Sequence, residues 1–141
     1  MYKHTLVAVD FSDENAQVID KAIAIQKLHS CRLSLVHVLE SVSYLYSDID
    51  VDVSEHQRKN KGASDKLLND IVTEHQLRNA TCLTLNGNAA VQLHDYAEKH
   101  DIDLIITGSH GRHGVQLLLG STANSILHGA QCDVLAVRVG D

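Results

Sequence analysis

The amino-acid sequence predicts a single domain of the α/β class, in which parallel strands alternate with helices. Its 141 residues suit one domain, and no linker, internal repeat or low-complexity segment divides residues 1–141. Five short runs of apolar and β-branched residues recur along the chain, and the segments between them carry apolar residues at helical spacing. This alternation is typical of an open parallel sheet with right-handed crossovers and helices on both faces.

The chain opens with a strand, a helix and a second strand. TLVAVD (residues 5–10) is a β-branched apolar run that predicts the first strand. Ser12 is a favourable N-cap residue, and apolar residues at helical spacing predict a helix over 15–30. The nearly continuous apolar character towards the end of 31–40 predicts a second strand that is covered on both faces.

The middle of the chain predicts a long loop, a third strand and two helices. Residues 41–55 show no regular period and predict a loop, which leads into a helix over 54–75. ATCLTL (80–85) predicts the third strand. The Asn-Gly pair that follows can mark a hairpin, but the apolar spacing within 89–100 favours a turn into a third helix.

The last third of the chain predicts two strands joined by a glycine-rich segment and a short helix. DLIIT (103–107) predicts the fourth strand, and CDVLAVRV (132–139) predicts the fifth. GSHGRHGVQLLLGS (108–121) lies between them and leads into a helix over about 121–128.

The glycine-rich segment is the strongest functional signal, because it holds four of the chain's eight glycines directly after a strand. Ligands of open α/β sheets sit at this place, and glycines let the backbone approach them closely. Gly120, Ser121 and Thr122 begin a helix, whose free N–H groups and dipole favour a phosphate. The segment has neither a G-x-x-x-x-G-K-S/T nor a G-x-G-x-x-G pattern, so a flexible surface loop with a glycine helix cap stays open as the alternative.

Charge and composition argue against several classes of function. A net charge of −6 disfavours binding to nucleic acid or to anionic membranes, and an aromatic content of 4% disfavours a base-stacking platform. No apolar run approaches the roughly 20 residues of a membrane span. The N-terminus lacks the features of a signal peptide, so we expect a cytoplasmic protein.

Neither a metal site nor a disulfide is predicted. His110 and His113 lie three residues apart without a third ligand nearby, and the acidic segment 47–55 alternates with Ile and Val. His37, inside the second strand, is expected to be a hydrogen-bonded histidine of the core or its rim. The cysteines are widely spaced in or beside predicted strands, as small buried hydrophobes are: Cys31, Cys82 and Cys132.

Three stretches resemble the universal stress protein family, and the resemblance covers essentially the whole chain. MYKHTLVAVDFS resembles the family's opening strand with its Asp, LSLVHV its second strand, and GSHG…LLLGS its nucleotide motif of G-x-x-G, nine residues and G-S/T. In this chain eight residues separate Gly111 from Gly120. LYSDIDVD is similar to the subgroup typified by the founding enterobacterial protein, which lacks the glycine motif and is thought not to hold ATP.

The resemblance implies a five-stranded parallel sheet in the order 3-2-1-4-5, with an adenine nucleotide at the switch point. ATP or AMP, with or without Mg²⁺, is the implied ligand. Asp10 would bind the ribose hydroxyls, and the backbone of Val38 would meet adenine. The full set of implied nucleotide-binding residues is Ala8, Val9, Asp10, Val38, Thr107, Gly108, Ser109, His110, Gly111, Gly120, Ser121, Thr122 and Ala123.

Family members also pair through their last strand, so the resemblance implies a homodimer. An unpaired strand edge independently favours such pairing. The implied dimer seam consists of Val134, Leu135, Ala136, Val137, Arg138 and Val139.

Three hypotheses for function follow. The first is a non-enzymatic, dimeric stress-response protein that binds an adenine nucleotide. The second is a slow ATPase, which is disfavoured because residues 108–121 contain no Asp or Glu to serve as a base or metal ligand. The third is an interaction protein with unknown protein partners and a vestigial pocket, which the shortened glycine loop allows.

Overall fold

The computed structural model describes residues 1–40, 53–109 and 120–140, with only the backbone of 53–57. Strands and helices alternate through these residues as predicted. In chain order they are β1 (His4–Ala8), α1 (Asn15–His29), β2 (Arg32–Leu39), α2 (Val53–Glu74), β3 (Ala80–Asn86), α3 (Ala89–Lys99), β4 (Leu104–Gly108), α4 (Ser121–Gly129) and β5 (Asp133–Val137).

The strands form one parallel sheet in the order β3-β2-β1-β4-β5, which the family resemblance implied. β1 lies at the centre between β2 and β4, with Ala8 opposite Val36. Further out, Gly108 of β4 lies opposite Val137 of β5. Because all strands run in one direction, their carboxyl ends meet at one edge of the sheet.

Helices cover both faces of the sheet, so its central strands carry apolar side chains on both faces. Leu6 and Ile105 pack into the core cluster that includes α3 and α4, whereas Val7 and Ile106 pack into the cluster that includes α1 and α2. All four side chains are fully buried. Burial on both faces explains why these strands appear in the sequence as continuous apolar runs.

The helix α1 begins at residue 15 as predicted, but its N-cap differs from the prediction. Ser12 is not its N-cap, because the helix begins at Asn15 with Glu14 as the N-cap residue. Ser12 instead donates its N–H and its hydroxyl to Asp10, at 3.0 and 2.7 Å from Oδ1. A carboxylate two residues upstream thus captures the serine in a local turn, which competes with helix capping.

Three strands are shorter than predicted, and β2 lacks only the first and last residue of the predicted 31–40. β1 ends at Ala8, although the N–H of Val9 still donates to the carbonyl of Val36 at 2.9 Å. β5 spans Asp133–Val137 only. Apolar residues beyond these ends remain buried, so hydrophobicity alone did not mark where strand pairing stops.

The cysteines lie as predicted in or beside strands, and their thiols are free. Cys31 is buried, and Cys82 and Cys132 are half-buried. Burial raises the pKa of both half-buried thiols. They therefore behave as packing residues with little thiolate character.

The acidic segment 47–55 lies outside the described residues, apart from the backbone at the start of α2. Within the described ranges, no helix has the length and apolar character needed to cross a membrane.

Candidate functional site

A cavity of about 540 Å³ opens beyond the carboxyl ends of β1, β2 and β4. It forms where the chain's crossovers diverge, because α1 packs on one face of the sheet and α4 on the other. Its volume suits a small molecule. The lining consists of Ala8, Val9, Asp10, Ser12, Glu14, Asn15, Val18, Val36, His37, Val38, Leu39, Glu40, Ala89, Leu93, Thr107, Gly108, Thr122, Ala123 and Val139.

Most of the implied nucleotide-binding residues meet in this cavity. Eight of them line it: Ala8, Val9, Asp10, Val38, Thr107, Gly108, Thr122 and Ala123. Ser109, Gly120 and Ser121 adjoin it in the chain without belonging to the lining, and His110 and Gly111 lie outside the described residues. The structure brings these positions together, and their role in binding stays a prediction.

Asp10 stands exposed at the cavity wall, directly after β1. The N–H and hydroxyl of Ser12 both donate to its Oδ1. Oδ1 thereby holds the turn before α1. A carboxylate has a second oxygen, so the turn does not prevent Asp10 from binding a ligand.

His37 forms part of the same wall and is held on two sides. Its Nδ1 lies 2.5 Å from the carbonyl oxygen of Val9, and since a carbonyl only accepts, Nδ1 carries the proton. The Phe11 ring lies against the imidazole with a centroid distance of 4.3 Å. The prediction of a hydrogen-bonded histidine is confirmed, but its place in the cavity wall was not predicted.

The two described ends of the glycine-rich segment meet beside the cavity. The N–H of Gly120 donates to the carbonyl of Ser109 at 2.7 Å, and the N–H of Ser109 donates to the carbonyl of Val137 at 2.8 Å. The end of the segment that follows β4 and the end that precedes α4 are therefore hydrogen-bonded neighbours. Residues 110–119, with Arg112 and the His110–His113 pair, lie outside the described residues.

The N-terminus of α4 presents backbone donors beside the cavity. Gly120 is the N-cap residue, and its carbonyl accepts the N–H of Asn124 at 2.9 Å. The N–H groups of Ser121, Thr122 and Ala123 precede this bond, so they have no acceptor within the helix. In the described part of the chain, no side chain caps α4 and no acidic residue lies in its first turn. These donors and the helix dipole favour an anion.

Sequence reasoning missed several lining residues. Asn15 and Val18 enter from α1, Leu93 from α3 and Val139 from the chain after β5. No local motif marks them, because they reach the cavity only through the packing of helices onto the sheet. One signal was available for Asn15 and Val18. Both lie in the first turn of the helix that follows β1, and that turn is near the carboxyl edge of the sheet.

β5 forms an edge of the sheet and pairs only with β4 within the described residues. Ala136 and Arg138 are exposed, whereas Val137 and Val139 are buried against the core. The implied dimer seam thus divides into exposed and inward-facing residues. Its role in pairing stays a prediction.

An open parallel sheet with a cavity at its switch point defines the class of doubly wound α/β proteins whose ligand sites lie at the carboxyl edge. Within that class, the family is shown by sequence, because the model of the universal stress protein family matches residues 1–138. The chain belongs to this family.

Individual relatives match over nearly the full length. Universal stress protein A homolog 1 of Coxiella burnetii is 39% identical over 139 residues, with 96% of each chain covered. The universal stress protein UspA from Lactobacillus plantarum has a TM-score of 0.85 at 24% identity, covering 97% of this chain and 98% of that one. A universal stress protein solved in complex with cAMP has a TM-score of 0.66 at 20% identity, covering 96% of each chain.

Proposed function

We propose that this chain is a non-enzymatic, dimeric universal stress protein of the cytoplasm that binds ATP or AMP, with or without Mg²⁺, in the cavity at the switch point. The observation that carries the proposal is the N-terminus of α4, which no described side chain caps, beside a cavity of about 540 Å³. Free backbone donors and a helix dipole at this position suit a phosphate. The relative solved in complex with cAMP supports an adenine nucleotide as the class of ligand.

The distribution of polar groups around the cavity suits the two ends of a nucleotide. The phosphate would lie at Thr122 and Ala123, where the α4 N-terminus meets the cavity. Asp10, at the end of β1, would accept the ribose hydroxyls. The apolar stretch between β2 and α3, which includes Val38 and Leu93, would take the adenine ring.

The proposed binding role without turnover has a direct test. Glu14 and Glu40 line the cavity together with Asp10, so carboxylates are present even though 108–121 has none. We expect no hydrolysis of ATP over hours at high protein concentration, with or without magnesium. Steady release of phosphate that scales with protein concentration would contradict the proposal and favour the slow ATPase.

The first experiment identifies the ligand. The protein is purified without added nucleotide and denatured, and the supernatant is analysed by mass spectrometry. Stripped protein is then titrated with ATP and AMP. We expect about one adenine nucleotide per chain, or saturable binding after stripping. An empty protein that ignores added nucleotide would contradict the proposal and support an interaction protein with a vestigial pocket.

A substitution at Thr122 tests the phosphate position. Thr122→Asp places a carboxylate in the first turn of α4, where it suits the helix dipole but repels a phosphate. Like charges about 4 Å apart repel by about 1–4 kcal/mol, so we expect at least about a fivefold loss of ATP affinity by calorimetry. Thr122→Asn, which has a similar shape but no charge, is the matched control. An equal loss for adenosine and ATP would place the phosphate elsewhere.

The proposed dimer seam is the open edge of β5. The carbonyl of Val137 accepts from Ser109 on the β4 side, so the backbone groups of Ala136 and Arg138 point to the open edge. Ala136→Pro removes one outward N–H, and edge strands tolerate proline. Light scattering after gel filtration should show a dimer for the wild type and a monomer for the variant. A variant that stays dimeric would contradict this seam.

A further inference from the structure

One buried polar group of the cavity wall has no hydrogen-bond partner among the residues that the structure describes. Asn15, the first residue of α1, is only 8% exposed, and its side-chain Oδ1 accepts no hydrogen bond within the described residues. The same side chain lines the cavity. On the α1 side of the sheet, the buried apolar residues that line the cavity with it are Val9, Val18 and Val139, whose side chains offer no donor.

An unpaired buried carbonyl opposes folding, so its presence needs an explanation. Nearly all buried polar side-chain atoms of folded proteins have a partner. Leucine or valine would fill this position among valines without that penalty. An amide in an apolar wall suggests that the molecule in the cavity completes its hydrogen bonds.

The position of Asn15 indicates which part of a nucleotide it would meet. Its backbone N–H donates to the carbonyl of Ser12 at 3.0 Å, and Ser12 in turn donates to the carboxylate of Asp10. Asp10, Ser12 and Asn15 therefore form one hydrogen-bonded unit between β1 and α1, and all three line the cavity. Asn15 is held next to the residue proposed to bind the ribose.

The chemistry of the amide selects a hydroxyl as its partner. Oδ1 needs a donor, whereas a phosphate and the ring nitrogens of adenine only accept. The adenine amino group could donate, but in the proposed arrangement it lies with the ring between β2 and α3. A ribose hydroxyl can donate to Oδ1 and can also accept from Nδ2. A half-turn of the amide about χ2 exchanges the oxygen and nitrogen, so the hydroxyl is matched in either orientation.

From these observations we propose that Asn15 is a specificity-determining residue that hydrogen-bonds a ribose hydroxyl of the bound nucleotide and so selects ribonucleotides over deoxyribonucleotides. This inference rests on the proposed function. Asn15 would be a second residue, besides Asp10, that binds the ribose, and it lies in the cavity wall on the α1 side of the sheet.

The test combines variants of Asn15 with ligands that lack single hydroxyls. Wild type, Asn15→Leu and Asn15→Ala are titrated with ATP, 2′-deoxy-ATP and 3′-deoxy-ATP by calorimetry. We expect Asn15→Leu to lower the affinity for ATP about tenfold. For one of the two deoxy ligands the same substitution should change the affinity by less than about twofold, because the bond is already missing.

Controls separate this role from packing. Val18→Ala changes the same wall one turn further along α1 without a hydrogen-bonding group, so it should weaken all three ligands equally. Asn15→Leu should melt at or above the wild-type temperature, because it removes an unpaired buried oxygen. Asn15→Ala, which cannot overfill the wall, gives the same comparison if the leucine variant does not fold.

The outcomes distinguish this inference from the proposed function. If the wild type binds ATP but Asn15→Leu weakens all three ligands equally, Asn15 is a packing residue or binds a buried water, and only this inference fails. If Asn15→Leu leaves all affinities unchanged, it fails as well. A wild type that binds neither these three triphosphates nor AMP overturns both proposals.

Discussion

Gly129 is the position where a single methyl group should destabilise this fold most informatively. It is the last residue of α4, and the imidazole of His94 from α3 lies directly over it. A Cβ added at Gly129 would lie 2.7 Å from Nδ1 of His94 and closer still to Cε1. The ring is not free to move away, because its Nε2 donates to the carbonyl of Ile126 at 2.8 Å.

The expected cost of Gly129→Ala follows from two ways of relieving the overlap. If His94 stays, overpacking costs about 1–3 kcal/mol. If it swings out, the carbonyl of the buried Ile126 loses its partner, which costs about 1–3 kcal/mol. Alanine regains at most about 1 kcal/mol of helix propensity. We therefore expect a net loss of about 1–2 kcal/mol in the free energy of unfolding.

Urea denaturation of Gly129→Ala, His94→Ala and the double variant measures this value and its cause. In the His94→Ala background the alanine meets no ring, so it should be neutral or stabilising, with a coupling of at least about 1 kcal/mol. Gly62→Ala, in the exposed middle of α2 with nothing within 4 Å of an added Cβ, is the control and should stabilise by about 0.5–1 kcal/mol. Additive effects at 94 and 129 would refute the close-contact argument.

Three other predictions concern single residues. Burial lowers the pKa of His4 from 6.5, so the unfolded chain binds a proton more readily than the folded chain. The stability should therefore fall as the pH drops below 6.5. His4→Gln should reduce that fall, whereas the control His128→Gln, on the surface, should not. Asn88 caps α3 by accepting the N–H of Val91 at 3.1 Å, so Asn88→Ala should cost about 0.5–2 kcal/mol in urea denaturation, and no change would refute the cap. Burial and the neighbouring carboxylate raise the pKa of Cys132, so iodoacetamide at pH 8 should label it slowly until urea unfolds the chain, and equal labelling rates would contradict this.

Much of the fold could be predicted because its signals are local. The apolar runs of β1 and β4 and the helical spacing of α3 depend on residues a few positions apart, and their alternation predicted a parallel sheet. The strand order came from the family resemblance. The N-cap of α1 was predicted wrongly, because Ser12 donates to the carboxylate of Asp10 instead of capping the helix.

The candidate site could also be predicted only in part. Asp10 and the α4 N-terminus could be predicted, because a polar residue after a strand and glycines before a helix are marks within the sequence. His37 was predicted as a hydrogen-bonded histidine but not as part of the cavity wall. Asn15 was predicted only as the first residue of a helix. The place of His37 depends on Val9 and Phe11, which are distant from it in the chain.

By itself, the sequence determined the class of fold, the segment that would flank a ligand and the membership of a family, because each depends on periodicity or on residue types in a fixed order. Only the tertiary structure decided that the buried Oδ1 of Asn15 has no partner among the described residues and that His94 covers Gly129. Hydrogen-bond satisfaction and close contact are properties of residues that become neighbours when helices pack on the sheet. No spacing along the chain carries that information.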